Sequence, residues 1–196
     1  MLTTPSFIAI DTETGGLDPA RHALLSLAAV PSWDYEPFHV CIHPGAGLID
    51  AEAAKVNGYT PELWEQRHAV PLKLALMAFQ CWLEQSGARR LKAVPLAHHA
   101  GFDRGFVEAA EQRTGCDLEL ERRWRCSMAT LLALQDAGYF DARKFASLNE
   151  LGTISGFWDK EQRAGKHDAL QDARCALHGY RFLLGLIAKK EGGELL

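Results

Sequence analysis

Three apolar runs of strand length crowd the front of the chain, and after them the spacing of apolar residues changes. FIAI (7–10) is a short continuous run closed by the turn-forming TGGLDPARH, and ALLSLAAV (23–30) and PFHVCIH (37–43) follow. Pro31, Ser32 and Asp34 separate the last two. Residues 6–12, 23–30 and 37–43 are therefore predicted strands, with antiparallel hairpin connections the expected arrangement. Residues 50–68 read as short helical pieces broken at Gly58 and Pro61, and Leu72, Leu76, Phe79 and Leu83 then recur at helical spacing up to Gly87. KAVPLAHH is a buried strand, DRGFVEAAEQR a helix ending near Gly115, RWRCS a short strand, and MATLLALQDAG a helix. A last long helix is expected from Ala169 to about Lys189. Three strands followed by α-β-α-β-α predict an α/β fold: a mixed five-stranded sheet, three antiparallel strands then two parallel, flanked by helices.

With 196 residues, 47% of them hydrophobic, the chain suits one well-buried core, so a single domain over 1–190 is expected, with EGGELL (191–196) as a flexible tail. The net charge of −4 excludes a strongly basic architectural nucleic-acid binder. Any nucleic-acid partner must be met by local basic residues or bound cations. Five scattered cysteines (Cys41, Cys81, Cys116, Cys126, Cys175) include no C-x-x-C pair, arguing against a disulfide framework or a zinc site and for reduced, buried thiols. MLTTPSF lacks signal-peptide character and no run is long enough to span a bilayer, so a cytoplasmic protein with no membrane partner is expected.

Chemistry gathers at three places. In DTETGG, Asp11 and Glu13 stand two apart at the end of the first strand, pointing to one face with Cα atoms roughly 6.5 Å apart. Paired anions there are costly unless a cation lies between them, and hard Mg²⁺ or Mn²⁺ takes carboxylate ligands while keeping positions for water and phosphate oxygen. In PLAHHAGFDRGFV a buried strand runs into His98 and His99, and Asp103 opens a helix. In GKHDALQDARCALHGY, His167 precedes Asp172 by five residues, and Ala169, Ala173 and Ala176 give the helix a small face able to approach the sheet. Each has an ordinary reading taken singly: loop acids, a helix-capping Asp103, a solvated Asp172 with a loop histidine.

Taken in order, D-x-E-T-x-G-L, A-H-x-A-x-F-D-x-x-F and H-x-A-x-x-D-A resemble the three motifs of the DEDD-type 3′–5′ exonucleases, and His167 matches the histidine-bearing (DEDDh) subclass. NGYT (57–60) and SLNEL (147–151) extend the resemblance over about residues 7–187. The resemblance implies an RNase H-like fold and a metal-dependent exonuclease with two divalent ions, Mg²⁺ or Mn²⁺. It assigns Asp11 to bridge both ions, Glu13 and Asp172 to complete the first ion's shell, Asp103 to act on the second through water, and His167 to serve as general base. It also implies that Thr14, Gly15, Gly16 and Leu17 cradle the terminal nucleotide, with His98 beside the substrate and Phe106 available to stack on a base. Arg104 and Lys166 are candidate phosphate contacts, and ARRLK and ERRWR read as denser positive runs or solvated faces.

The implied substrate is a nucleic-acid 3′ end, single-stranded DNA or a frayed primer end, hydrolysed to nucleoside 5′-monophosphates. An exoribonuclease is the alternative within the class, and a non-catalytic nucleic-acid-binding adaptor the alternative outside it. A polymerase or a second copy of the chain is a possible protein partner. Two departures stand out: His98-His99 replaces the family's His-Asn, and CSM (126–128) occupies the place of an aspartate before a hydroxyl residue.

Overall fold

β1 (Phe7–Thr14) runs on past residue 12, so Glu13 lies inside a strand rather than in the turn after it. The computed structural model describes residues 5–158 and 167–191; Lys166 and residues 192–196 of the expected tail lie outside them, and Glu191, its expected first residue, ends the last helix. The sheet order is β3-β2-β1-β4-β5, formed with β2 (Leu24–Pro31), β3 (Phe38–Cys41), β4 (Val94–Ala97) and β5 (Arg125–Cys126). β1–β2 and β2–β3 pair antiparallel, β1–β4 and β4–β5 parallel, as the order of elements predicts. Seven helices are described: α1 (Ala51–Asn57), α2 (Pro61–Gln66), α3 (Leu72–Gln85), α4 (Ala100–Thr114), α5 (Ser127–Asp136), α6 (Leu148–Ile154) and α7 (Ala169–Glu191).

Alternation along β1 sorts its side chains to two helical layers. Ile8 and Ile10 pack with Leu76 and Phe79 of α3 and Phe106 of α4, whereas Phe7 and Ala9 pack with Ala169, Ala173 and Leu177 of α7. The small alanines let α7 lie close to the sheet, which carries Asp172 to the end of β1. Glu13 sits opposite Ser26, but Thr14 sits opposite Leu24, so the register slips by one residue and Leu25 is left over on β2. The Leu25 carbonyl instead accepts from Trp64 Nε1 and from Ile42 N, each at 2.8 Å.

α6 is an element the periodicity does not announce, although Ser147 and Glu150 have capping-box spacing. Ser147 Oγ accepts from the Glu150 amide at 3.2 Å. α4 ends at Gly115, whose φ of 71° is the left-handed conformation glycine adopts freely. The cysteines are free, but not all buried: Cys41 and Cys175 are enclosed, while Cys81 is exposed on the outer side of α3. Among the described residues no helix is long and apolar enough to cross a membrane.

Candidate active site

At the end of β1 the chain brings two acids against the first turn of α7. Asp172 is fixed by that turn, its amide bonding the Asp168 carbonyl at 2.9 Å, and its Oδ2 lies 3.0 Å from His167 Nδ1. His167 is tied down independently, since its own amide donates to the Val56 carbonyl of α1 at 3.1 Å. Glu13, His167 and Asp172 each offer a ligating atom, and the three lie within 4.8 Å of one another. Asp11 lines the same cavity of about 610 Å³.

Asp103 arrives from the opposite layer. His99, not Asp103, occupies the N-cap of α4, so Asp103 sits in the first turn and its carboxylate is not a cap. Its Oδ1 accepts both from the Thr12 amide (3.0 Å) and from Thr12 Oγ1 (2.9 Å). Thr12, between the two acids of β1, thus faces α4 while its neighbours face α7. Sequence reasoning passes over this residue, because its partner is 91 positions away.

The electrostatics are those of a site short of positive charge. Glu13 is only 8% exposed, and its carboxyl is pushed up to about 8, first by burial and then by the Asp172 carboxylate, with His167 opposing. Asp103 is pushed up to about 7 by burial, against the two Thr12 hydrogen bonds. Glu13 Oε1 is buried with no hydrogen-bond partner among the described residues. A buried carboxylate oxygen in that condition is unfavourable by roughly 1–3 kcal/mol or more, and a divalent cation is what such a set of hard oxygen donors accommodates. The residues present fit that group.

The other expected site residues divide. Thr14 and Leu17 line the cavity, Leu17 with 83% of its surface exposed, and Thr14 Oγ1 donates to the Gly16 carbonyl at 2.8 Å. The glycines serve the protein's own packing. A Cβ on Gly15 would lie 2.2 Å from the Leu48 carbonyl oxygen, and one on Gly16 would strike the His22 ring at 2.4 Å. Gly16 still lines the cavity, but Gly15 does not. His98 also lines it, and its ring joins two walls, Nδ1 to Ser127 Oγ at 2.9 Å and Nε2 to the Ala146 carbonyl at 3.0 Å. Ser127, the middle of CSM, is therefore the partner of His98.

Phe106 is a correction: it is 1% exposed and belongs to the core between sheet and helices, out of a substrate's reach. Phe102, one helical turn earlier, lines the cavity in its place. Arg104 is engaged with Glu108 at 2.7 Å and with the Arg122 carbonyl, away from the cavity lining. In the basic runs, Arg89 pairs with Glu84 and Arg123 with Glu121. Sequence reasoning also missed Asn57, whose Nδ2 holds the Thr14 carbonyl at 2.9 Å, and the apolar lining residues Val56, Met128 and Leu148.

A mixed five-stranded sheet with carboxylates gathered at the end of its central strand is the architecture of RNase H-like exonucleases. The RNase T family, described as Exonuclease, matches residues 8–180, and the chain belongs to that family. Ribonuclease T of Vibrio vulnificus (strain YJ016) is 34% identical over 118 residues, 54% of each chain. Ribonuclease T of Haemophilus influenzae (strain PittGG) is 33% identical over 118 residues, 55% of this chain and 52% of the relative. The matched region thus spans about half the length of these curated relatives. Among solved structures, E. coli Exonuclease I in complex with a dT13 oligonucleotide superposes with a TM-score of 0.70 at 15% identity, over 92% of this chain and 41% of the other. The zinc-bound form of the E. coli Exonuclease I–ssDNA complex gives 0.67 at 16% identity, over 95% and 43%. At such identity the likeness shows the fold.

Proposed function

We propose that this chain is a metal-dependent 3′–5′ exonuclease that hydrolyses the terminal phosphodiester of single-stranded DNA, or of a frayed primer end, and releases nucleoside 5′-monophosphates. The carrying observation is the convergence of Glu13, Asp172 and His167, whose ligating atoms lie within 4.8 Å of one another, together with a buried Glu13 Oε1 that has no hydrogen-bond partner among the described residues. Asp11, Glu13, Asp103 and Asp172 are the residues to hold two divalent ions, Mg²⁺ or Mn²⁺. When bound, the ions supply Lewis acidity and neutralise phosphate charge.

The remaining work falls to this chain's own groups. The Asp172 carboxylate facing His167 Nδ1 calls for a proton on that nitrogen, which places the imidazole lone pair on Nε2. His167 then takes the proton of the attacking water on Nε2, and Asp172 steadies the imidazolium that forms. Asp103, held by Thr12, pins the first turn of α4 to β1. Leu17, exposed at the rim, packs against the terminal base, and Thr14 shapes the backbone behind it.

A second reading, RNA 3′ ends as substrate, is favoured by the relatives named Ribonuclease T. The test compares 5′-labelled single-stranded DNA, single-stranded RNA and a primer-mismatch duplex, with Mg²⁺ or Mn²⁺ and with EDTA. Laddering from the 3′ end that stops in EDTA is expected, and the relative rates choose between DNA and RNA. Binding of all three without cleavage overturns the proposal in favour of an adaptor.

A further inference from the structure

The cavity at the end of β1 is crowded with acids: Asp11, Glu13, Asp50, Glu52, Asp103 and Asp172 all line it. A separate cavity of about 360 Å³ has the opposite character. Arg21, His43 and Arg113 line it beside the turn Pro44–Gly47, and its lining includes no aspartate or glutamate. The β1–β2 connection contributes to both cavities, Gly16 and Leu17 to the first, Ala20 and Arg21 to the second. Leu17 and Ala20 are three residues apart, so no more than about 11 Å of backbone separates the two linings.

The basic groups of the second cavity are oriented without being neutralised. Arg113, in the last turn of α4, donates to the carbonyls of Pro19 and His22, the latter at 3.3 Å. Carbonyl oxygens fix the direction of a guanidinium and leave its charge whole. Arg89, Arg104, Arg123 and Arg143 are each paired with a carboxylate, whereas among the described residues Arg21 and Arg113 are not. His43 Nδ1 accepts from the Gly45 amide at 3.2 Å, which puts the ring proton on Nε2 and makes that nitrogen a donor. The turn that carries this amide is closed by the Gly47 amide on the Pro44 carbonyl at 3.0 Å, with Gly45 at a φ of 59°. In a chain of net charge −4, two guanidinium groups without carboxylate partners and an imidazole donor lining one cavity reverse the local field.

We infer that Arg21, His43 and Arg113 form an accessory phosphate pocket, which takes a backbone phosphate of the bound nucleic acid outside the terminal nucleotide. Guanidinium groups match phosphate oxygens in fork geometry, and the Nε2–H of His43 adds a further donor. The proposal rests on the exonuclease reading for the source of the phosphate, while the anion chemistry stands on the pocket alone. A phosphate held in this way carries no sequence information, so the contact strengthens binding of every sequence and makes the affinity depend on salt. Free phosphate has the same chemistry and is the competing source.

The test uses Arg21→Gln and Arg21→Lys in the full chain, since Arg21 is exposed, with Arg90→Gln as a control that removes one exposed charge ahead of β4, at the other end of the sheet. Kd for a labelled oligothymidylate and for a labelled duplex with a 3′ overhang is measured by fluorescence anisotropy in EDTA, over about 50–200 mM salt. Arg21→Gln should weaken binding of at least one probe about threefold or more at the lowest salt and reduce the slope of log Kd against log salt by about 0.7–0.9. Arg21→Lys and Arg90→Gln should keep the wild-type slope. In parallel, inorganic phosphate is titrated while the imidazole resonance of His43 is followed by NMR. Wild-type slopes for both probes in Arg21→Gln, or no binding of either probe by the wild type, overturn the backbone source. If His43 then responds saturably to inorganic phosphate in the wild type and not in Arg21→Gln, free phosphate is the ligand; without that response the pocket itself is overturned. An equal fall in slope with Arg90→Gln also overturns it, because net charge alone then accounts for the effect. No arm needs metal or turnover, so a wild type that binds the probes and never cuts them overturns the exonuclease reading while the pocket stands.

Discussion

His167 Nδ1 and Asp172 Oδ2 lie 3.0 Å apart, beside Glu13. Replacing His167 by alanine leaves the four carboxylates in place, so calorimetric Mn²⁺ binding should be largely retained while turnover falls about 10²–10⁴-fold. A rate within a few-fold of wild type would remove His167 from the role of base. Asp11→Asn removes a carboxylate from the cavity lining and should abolish measurable hydrolysis of labelled oligonucleotide while leaving the fold intact by circular dichroism. Thr12 is the less obvious residue. Thr12→Val takes away the hydroxyl that donates to the buried Asp103 carboxyl, leaving the amide alone, and should cost roughly 1–3 kcal/mol in urea unfolding.

At the scale of elements, two close approaches set the shape of the site. Gly15 lets the β1–β2 connection lie against residues 48–49, where its carbonyl accepts from the Asp50 amide at 2.7 Å. Gly15→Ala places a methyl 2.2 Å from a backbone oxygen, which cannot swing aside as a side chain can. Thermal unfolding should show a loss of about 2 kcal/mol or more, together with a raised KM, because Leu17 rides on the displaced segment. Phe102 and Phe106 make the complementary point. Both lie at helical spacing near the start of α4, and nothing local separates the one that lines the cavity from the one that fills the core. The rotation of α4 against the sheet decides it, and that rotation follows from packing of Val107 and Ala110 against the apolar side of β1.

For the whole molecule, the metal-free site is a source of instability that depends on pH. The Glu13 carboxyl is raised from 4.5 to about 8 and that of Asp103 from 3.8 to about 7, so between those limits the folded chain binds more protons than the unfolded chain. Stability in EDTA therefore rises as pH falls through about 8 toward 4.5, and is lowest above 8. Melting temperature in EDTA should be higher at pH 5.5 than at pH 8.5 on this account, and Glu13→Gln should flatten the difference. Added Mn²⁺ should reverse the trend, since the carboxylates must release protons to bind it, and the stabilisation grows as cation exceeds its Kd. A melting temperature insensitive to Mn²⁺ at pH 8.5 would argue against metal at these carboxylates.

What the sequence determined by itself is the order of the elements and the identity of the chemical groups. Apolar runs of strand length and helical spacing are local signals, so they are legible over a few residues, and the direction of Asp11 and Glu13 follows from the alternation that puts Phe7 and Ala9 on the α7 side. The meeting of these groups is a tertiary matter. Thr12 finds Asp103 from 91 residues away, His98 finds Ser127 and Ala146, and His167, just before α7, is held by Val56 of α1. None of these partners lies within a single element, and each depends on how layers dock across the sheet. Burial then raised the carboxyls of Glu13 and Asp103, because the cost of charge depends on the water excluded around it, which only the assembled fold sets.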